Sequence, residues 1–374
     1  MGEQTGQQLY DLYEWARATA WRYNLDLFEA EALQAILATL DKGRREIMRE
    51  FQARYANANL SDWQESRLES LLYEMEDLTA GVRSELTQQY TTMSVTVAAP
   101  SITETVGALS VAGLAKGVNN VALSSAQLRA FFQETPLGGR LIQGWVDRSF
   151  SYSVQGQIRQ AINVGVLRGE GYLGLVRRVE DGFGMARQDA VTLTRTFVSA
   201  ANNQARDMVY KANSDVVRGW RWMTAGDNRV CPICLALHGR EFKLGEGPET
   251  PIHPRCRCVK LPRTITFREL GIPIDEMKRE ADRWVIRGRK DYDGEILVRG
   301  VHEGGKDKTL RVGRYATADD WFGDLSGAEK RSTSLGPGRV KLLEDGRIKM
   351  QDLVGLDYQP RTLKQLEALA NVRS

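Results

Sequence analysis

Histidine and cysteine are nearly missing from this chain. Its 374 residues hold three of the first and four of the second, and residues 1–230 hold neither. Core packing would scatter cysteines along the sequence as small apolar residues, so their confinement argues against that role. Three histidines leave little room for general acid–base chemistry near neutral pH. No G-x-S-x-G or H-E-x-x-H run occurs. The basic glycine-containing stretches, Arg287-Gly288-Arg289-Lys290 and Gly304-Gly305-Lys306-Asp307-Lys308, lack the G-x4-G-K-[ST] frame of a phosphate loop. A non-enzymatic protein is therefore expected. Long apolar runs are also lacking, with no stretch of the roughly 18 residues that a membrane helix needs. The opening MGEQTGQQLYDLYEW has no basic start followed by an apolar run, so export by a signal peptide is not expected.

What is present fits a soluble protein of about two domains, with 42% hydrophobic and 26% charged residues. The net charge of +3 hides an asymmetry: residues 1–100 carry 16 acidic and 9 basic side chains, and the remainder carries 32 acidic and 42 basic. An acidic front and a basic back suit docking on protein at one end and near nucleic acid at the other, although a bias this mild also fits ordinary solvated surface.

The rare residues are gathered in DNRVCPICLALHGREFKLGEGPETPIHPRCRC, which contains Cys231, Cys234, Cys256 and Cys258 together with His238 and His253. Zinc takes four nitrogen or sulfur ligands in a tetrahedron, and C-x2-C delivers two thiolates from one tight turn. Cys231-Pro232-Ile233-Cys234 has that spacing. The second half, His253-Pro254-Arg255-Cys256-Arg257-Cys258, offers three donors for two places. Four thiolates, or three thiolates with the His253 imidazole, would each complete a structural site. Arg255 and Arg257 could offset the thiolate charge. A disulfide framework belongs to small exported domains, and neither the length nor the N-terminus has that form. With three protein ligands and an open position the ion could instead hold a reactive water, but Glu241, Glu246 and Glu249 read as ordinary loop acids. His238 reads as a surface or packing residue.

These residues resemble the phage head morphogenesis family, the Mu F-like minor head proteins, over roughly residues 150–374. The shared pattern begins with the Arg195-Thr196 pair followed by Ser199, Ala200, Ala201 and Asn202. It continues through Gly219-Trp220-Arg221-Trp222, Asp227, the C-P-x-C turn, Leu237-His238-Gly239-Arg240 and the H-P-R-C-R-C closure, and Leu335-Gly336 resembles a C-terminal element. The family often continues the Arg-Thr pair with an acid, and Phe197 stands there in this chain. The resemblance implies a minor capsid protein acting in procapsid assembly and in DNA packaging or delivery near the portal vertex. Its implied partners are the portal protein, the major capsid or scaffold protein and phage DNA, and its implied location is the virion after assembly in the host cytoplasm. Arg195, Asp227 and Arg257 are the motif residues to which it attaches structural roles. Two other readings follow from the residues: a DNA-binding protein using the basic half, and a metal-dependent hydrolase associated with the head.

The expected architecture is a mostly α N-terminal half and an α+β C-terminal half with a zinc-organised module and a β-hairpin. Residues 1–100 read as a long helical hairpin, with an apolar stripe from Leu68 to Leu86 and a capping box at Ser61 and Gln64. The aromatics Tyr10, Tyr13, Trp15, Trp21 and Tyr23 read as core or a docking face. Residues 93–100 lose the helical period and end in Pro100, which marks a boundary, and Ser101 with Glu104 reads as the next cap. Residues 101–184 form a helical region ending in an Asp181–Gly184 loop. The Mu F-like domain with the Cys/His site then covers 185–374. Within it a helix is expected over 185–212, a strand over 216–224 and a helix over 275–285. A hairpin is expected over 339–350, turning at Asp345-Gly346, and Thr362 with Gln365 should cap a last helix.

Overall fold

The computed structural model of the chain describes residues 25, 28–50, 52–53, 65–112, 118–137, 139–150, 172–224, 230–265, 296–298, 302–303, 306–307, 310–312 and 318–373, with isolated positions between 150 and 172. Three long helices organise the N-terminal side: α1 over residues 28–50, α2 over Glu65–Ala112 and α5 over Tyr172–Ala212. Two short helices, α3 (Ser125–Glu134) and α4 (Ile142–Phe150), lie between α2 and α5 in sequence and pack on α2. Helix α1 buries Ile36, Leu40, Gly43 and Ile47, one face at helical spacing. It runs antiparallel to α2, as Thr39 meets Glu85 and Gln89, and a Cβ on Gly43 would strike Val82. It is also antiparallel to α5, through Arg44–Glu180, Asp41–Arg187 and Glu29–Arg195. Helices α2 and α5 run the same way, with Tyr90 edge-on to Phe197, Ser101 on Asn202 and Glu104 paired with Arg206.

Two expected breaks are absent. Residues 93–100 and Pro100 lie inside α2, so the boundary signal there was misleading, and Ser101 and Glu104 do not cap a helix. The run is rich in β-branched and hydroxyl residues, which weaken an isolated helix. Here the hydroxyls turn inward along the helix: Ser94 donates to the Tyr90 carbonyl (2.9 Å), Ser101 to Val97 (2.7 Å) and Thr105 to Ser101 (2.6 Å). This satisfies the polar groups internally and leaves Val97, Ala98 and Ile102 to pack in the core. Asp181–Gly184, expected as a loop, lies inside α5. Phe183 is buried edge-on to Phe150, and that packing outweighs the roughly 1 kcal/mol that each helical glycine costs.

After α5 the chain enters an antiparallel sheet of order β2-β1-β3, formed by β1 (Val217–Met223), β2 (Glu241–Lys243) and β3 (Val259–Thr264). The expected strand over 216–224 is therefore present. Gly219 is required in β1, because a Cβ there would fall on the Phe242 carbonyl of β2. Trp220 and Trp222, two residues apart, share one face and are both buried. Helix α5 grips β3 through polar side chains. Asn203 Nδ2 donates to the Cys258 carbonyl (3.0 Å), and its Oδ1 accepts the Lys260 N–H (3.0 Å). Tyr210 donates to the Lys260 carbonyl (2.9 Å), and Lys260 Nζ pairs with Asp207 at 2.6 Å.

The C-terminal part is helical: α7 (Ala318–Asp324), α8 (Gly327–Ser332), α9 (Pro337–Glu344), a 3-10 turn at Met350–Leu353 and α10 (Leu363–Arg373), following α6 (Pro232–Leu237) of the cysteine loop. The hairpin expected over 339–350 is not there. Gly336, at φ 78°, leads into Pro337 at the first helical position. Asp345-Gly346 stops the helix instead of turning a hairpin: Gly346, at φ 65°, donates to Leu343 and Arg347 donates to Leu342. A short hairpin does occur, where His302–Glu303 pairs with Lys306–Asp307. The last helix begins as expected, since Gln365 N–H donates to Thr362 Oγ1 and Thr362 N–H to Gln365 Oε1. The N-terminal aromatics, Ser61, Gln64, the expected helix over 275–285 and Arg287–Lys290 lie outside the described residues. Among the described residues no helix is long and apolar enough to cross a membrane.

Candidate metal centre

The cysteine loop is built from two tight turns carried by the sheet and by α5. Cys231 has extended backbone at the N-cap of α6, its Sγ accepts the Cys234 N–H at 3.4 Å, and Pro232 opens the helix. One helical turn separates the two cysteines, so both sulfurs emerge on the same side. The second turn is closed by the Cys256 N–H on the His253 carbonyl (3.2 Å), with Arg255 at φ 62°. Helix α5 holds that turn. Thr196 Oγ1 accepts the Arg255 N–H at 3.0 Å, and the Arg255 guanidinium donates to Thr192 Oγ1 at 2.9 and 2.8 Å. Asn203 then fixes the backbone of Cys258 as β3 begins.

All five expected donors converge. His253 Nε2 lies 3.1 Å from Cys231 Sγ and 3.2 Å from Cys234 Sγ, and Cys234 Sγ lies 3.8 Å from Cys256 Sγ. The donors form two triads sharing Cys234: Cys231, Cys234 and His253, and Cys234, Cys256 and Cys258, the atoms of each triad lying within 4.8 Å of one another. Cys234, Cys256 and Cys258 are buried, while Cys231 and His253 are half-buried. The cysteines form no disulfide. The sulfur–sulfur separation matches the edge of a tetrahedron with metal–sulfur bonds of about 2.3 Å. The cluster could hold a metal ion.

The electrostatics show how tightly the donors are crowded. The Cys234 thiol beside Cys231 pulls the Cys231 pKa down to about 5, with His253 acting in the same direction. Cys256 is held below the ordinary thiol range, first by Cys234. Cys234 is pushed up by the neighbouring sulfurs, and Cys258 is pushed up by burial. His253 rises to about 9 because Cys231 stabilises its cation. Each group's charge thus depends on its neighbours, and a central cation would let several sulfurs be thiolates together.

Other expected residues fall in varied places. Arg195 does not point into the cysteine module; its Nε lies 2.7 Å from Glu29 Oε1 of α1, and the side chain is 41% exposed. Its partner Glu29 is buried, with a side chain 11% exposed, so losing the guanidinium costs more than a surface pair does, and Arg195→Ala is expected to lower stability by about 1–3 kcal/mol, checked by denaturant titration. Asp227 lies outside the described residues, and Arg257 is half-buried between the last two cysteines. His238 is half-buried, with Nδ1 3.0 Å from Thr224 Oγ1. Glu241 pairs with Arg221 and Arg263, while Glu246 and Glu249 are exposed. Phe197, where the family often has an acid, is fully buried against Tyr90. Sequence reasoning missed Thr192, Asn203 and Tyr210 as supports of the site. A signal existed: Ser199, Asn203, Asp207 and Tyr210 line one face of a helix whose neighbours are mostly small or apolar.

A family model, Phage Mu protein F like protein, matches residues 156–261. That segment is similar to the Mu F-like proteins. It contains every metal donor, the α5 residues that brace them, β1, β2 and the first half of β3, and it ends before the Leu335-Gly336 element. The match supports a phage head-morphogenesis protein. No curated relative and no solved structure matches the chain.

Proposed function

We propose that the chain is a minor head protein of a tailed bacteriophage that acts in procapsid assembly, near the portal vertex, and in DNA packaging or delivery. The observation that carries this reading is the Mu F-like match, which coincides with the metal-donor cluster and its supports. The helical N-terminal side would dock on portal, major capsid or scaffold protein, and the basic remainder would lie near phage DNA. The role is non-catalytic. Zn2+ is the ion this donor set suits, since thiolate and imidazole ligands select it over the hard cations that prefer oxygen. Its part is structural: it ties a polar, loop-rich segment to the sheet, as metal does where apolar mass alone is too small.

Quantitative mass spectrometry of procapsids and mature particles, normalised to portal protein, tests the assembly role. A few copies per portal ring are expected. Absence from both particles would remove the virion role and turn attention to DNA binding in the infected cell.

A further inference from the structure

We infer that a zinc ion here takes its ligands from Cys231, Cys234, His253 and Cys256, and that Cys258 is the spare fifth donor. The inference rests on the zinc reading above. One tetrahedron cannot take all five donors, and they are divided into two triads that share only Cys234.

The imidazole decides the first point. His253 Nδ1 lies 2.8 Å from the Pro254 carbonyl. A carbonyl oxygen only accepts, so Nδ1 carries a proton, and in the neutral ring Nε2 presents its lone pair to the two sulfurs at 3.1 and 3.2 Å. A ring nitrogen fixed by a backbone carbonyl, with the other facing the donors, is the arrangement that orients metal-bound histidines. Three places are then Cys231, Cys234 and His253.

The fourth place falls to Cys256. It shares a turn with His253, closed by its own N–H on the His253 carbonyl at 3.2 Å. Its sulfur stands 3.8 Å from Cys234 Sγ, the separation expected of two ligands of one tetrahedral zinc with bonds of about 2.3 Å. Cys258 belongs to a different element. Its carbonyl is held by Asn203 of α5, and it leads directly into β3. It stands beside Cys234 and Cys256, in the triad that contains neither Cys231 nor His253.

X-ray absorption at the zinc edge on the purified full-length chain, with zinc stoichiometry, tests this assignment. Wild type is expected to show one zinc bound by three sulfurs and one nitrogen. Cys258→Ala should keep that shell and stoichiometry, whereas Cys256→Ala should lose a sulfur or bind Zn(II) at least ~10-fold more weakly. The wild-type and Cys258→Ala spectra decide the matter even if Cys256→Ala does not fold. Four sulfurs without an imidazole, or a sulfur lost in Cys258→Ala, would overturn the assignment and leave the zinc reading standing. No zinc bound after Zn(II) addition, with all five donors present, would overturn both.

Discussion

Cys234→Ser is expected to abolish stoichiometric zinc binding and to unfold residues 230–265 locally while the α1–α2–α5 bundle keeps its helices. Cys234 is the residue common to both triads, so every set of four ligands that contains a complete triad includes it. Structural zinc supplies on the order of 10 kcal/mol in small peptides that are unfolded without it. This segment also has apolar support from Leu235, Leu237 and Trp222, all buried, so part of it should persist. The expected loss is about 3 kcal/mol or more, read as a lower thermal midpoint and as faster amide exchange in β1 and β3. Far-ultraviolet circular dichroism should change little, since most helix lies outside the loop. Unchanged zinc content together with an unchanged midpoint would falsify the structural role.

The sequence was most legible where chemistry is local. The cysteine and histidine spacing placed the donors in one cluster, because C-x2-C and H-x2-C are each one turn long and need little from the rest of the fold. The Trp220–Trp222 alternation announced a strand for the same reason, and Thr362 with Gln365 announced a helix start. Legibility failed where tertiary context reverses a local preference. Pro100 and the Ser/Thr-rich run before it look like a break, yet they continue a helix because α5 packs along it and the hydroxyls bond back to their own backbone. Asp345-Gly346 is ambiguous by itself: the same positive-φ glycine ends a helix or turns a hairpin. Pro337 at the head of the segment was the available clue. Arg195 pairs with a carboxylate 166 residues away in sequence, and no local pattern could have named Glu29. The way α5 braces the cysteine loop was half visible. Thr196 stood in the family motif, but its role emerges only when the Arg255 N–H is seen to land on it.

Trp222 should be the most costly single truncation in the sheet, and the cost should lie in its volume, not in its indole nitrogen. The side chain is fully buried. Its backbone is locked to the turn that leads into β2, with its N–H donating to the Arg240 carbonyl at 2.9 Å and its carbonyl accepting from Gly239 at 2.8 Å. The ring therefore cannot withdraw when its surroundings change. Among the described residues Nε1 has no hydrogen-bond partner, whereas Trp220 Nε1, next on the same face, reaches the Glu246 carbonyl at 3.2 Å. An orphaned buried donor costs about 1–3 kcal/mol, and this position accepts that cost in return for a large ring joining β1 to the core around α5. Trp222→Ala removes the ring and leaves a cavity in a segment with no free space to collapse, for an expected loss of about 3–5 kcal/mol. Trp222→Phe gives up part of the volume but also removes the unpartnered N–H, so the two changes offset and the net loss should be about 1 kcal/mol or less. Guanidinium titrations followed by circular dichroism would give both values, and zinc content measured alongside would show whether the loop survives the substitution. Equal losses in the two variants would mean that the nitrogen is partnered and the volume argument is wrong. A large gap between them would fix β1 as the beam on which the metal loop is hung.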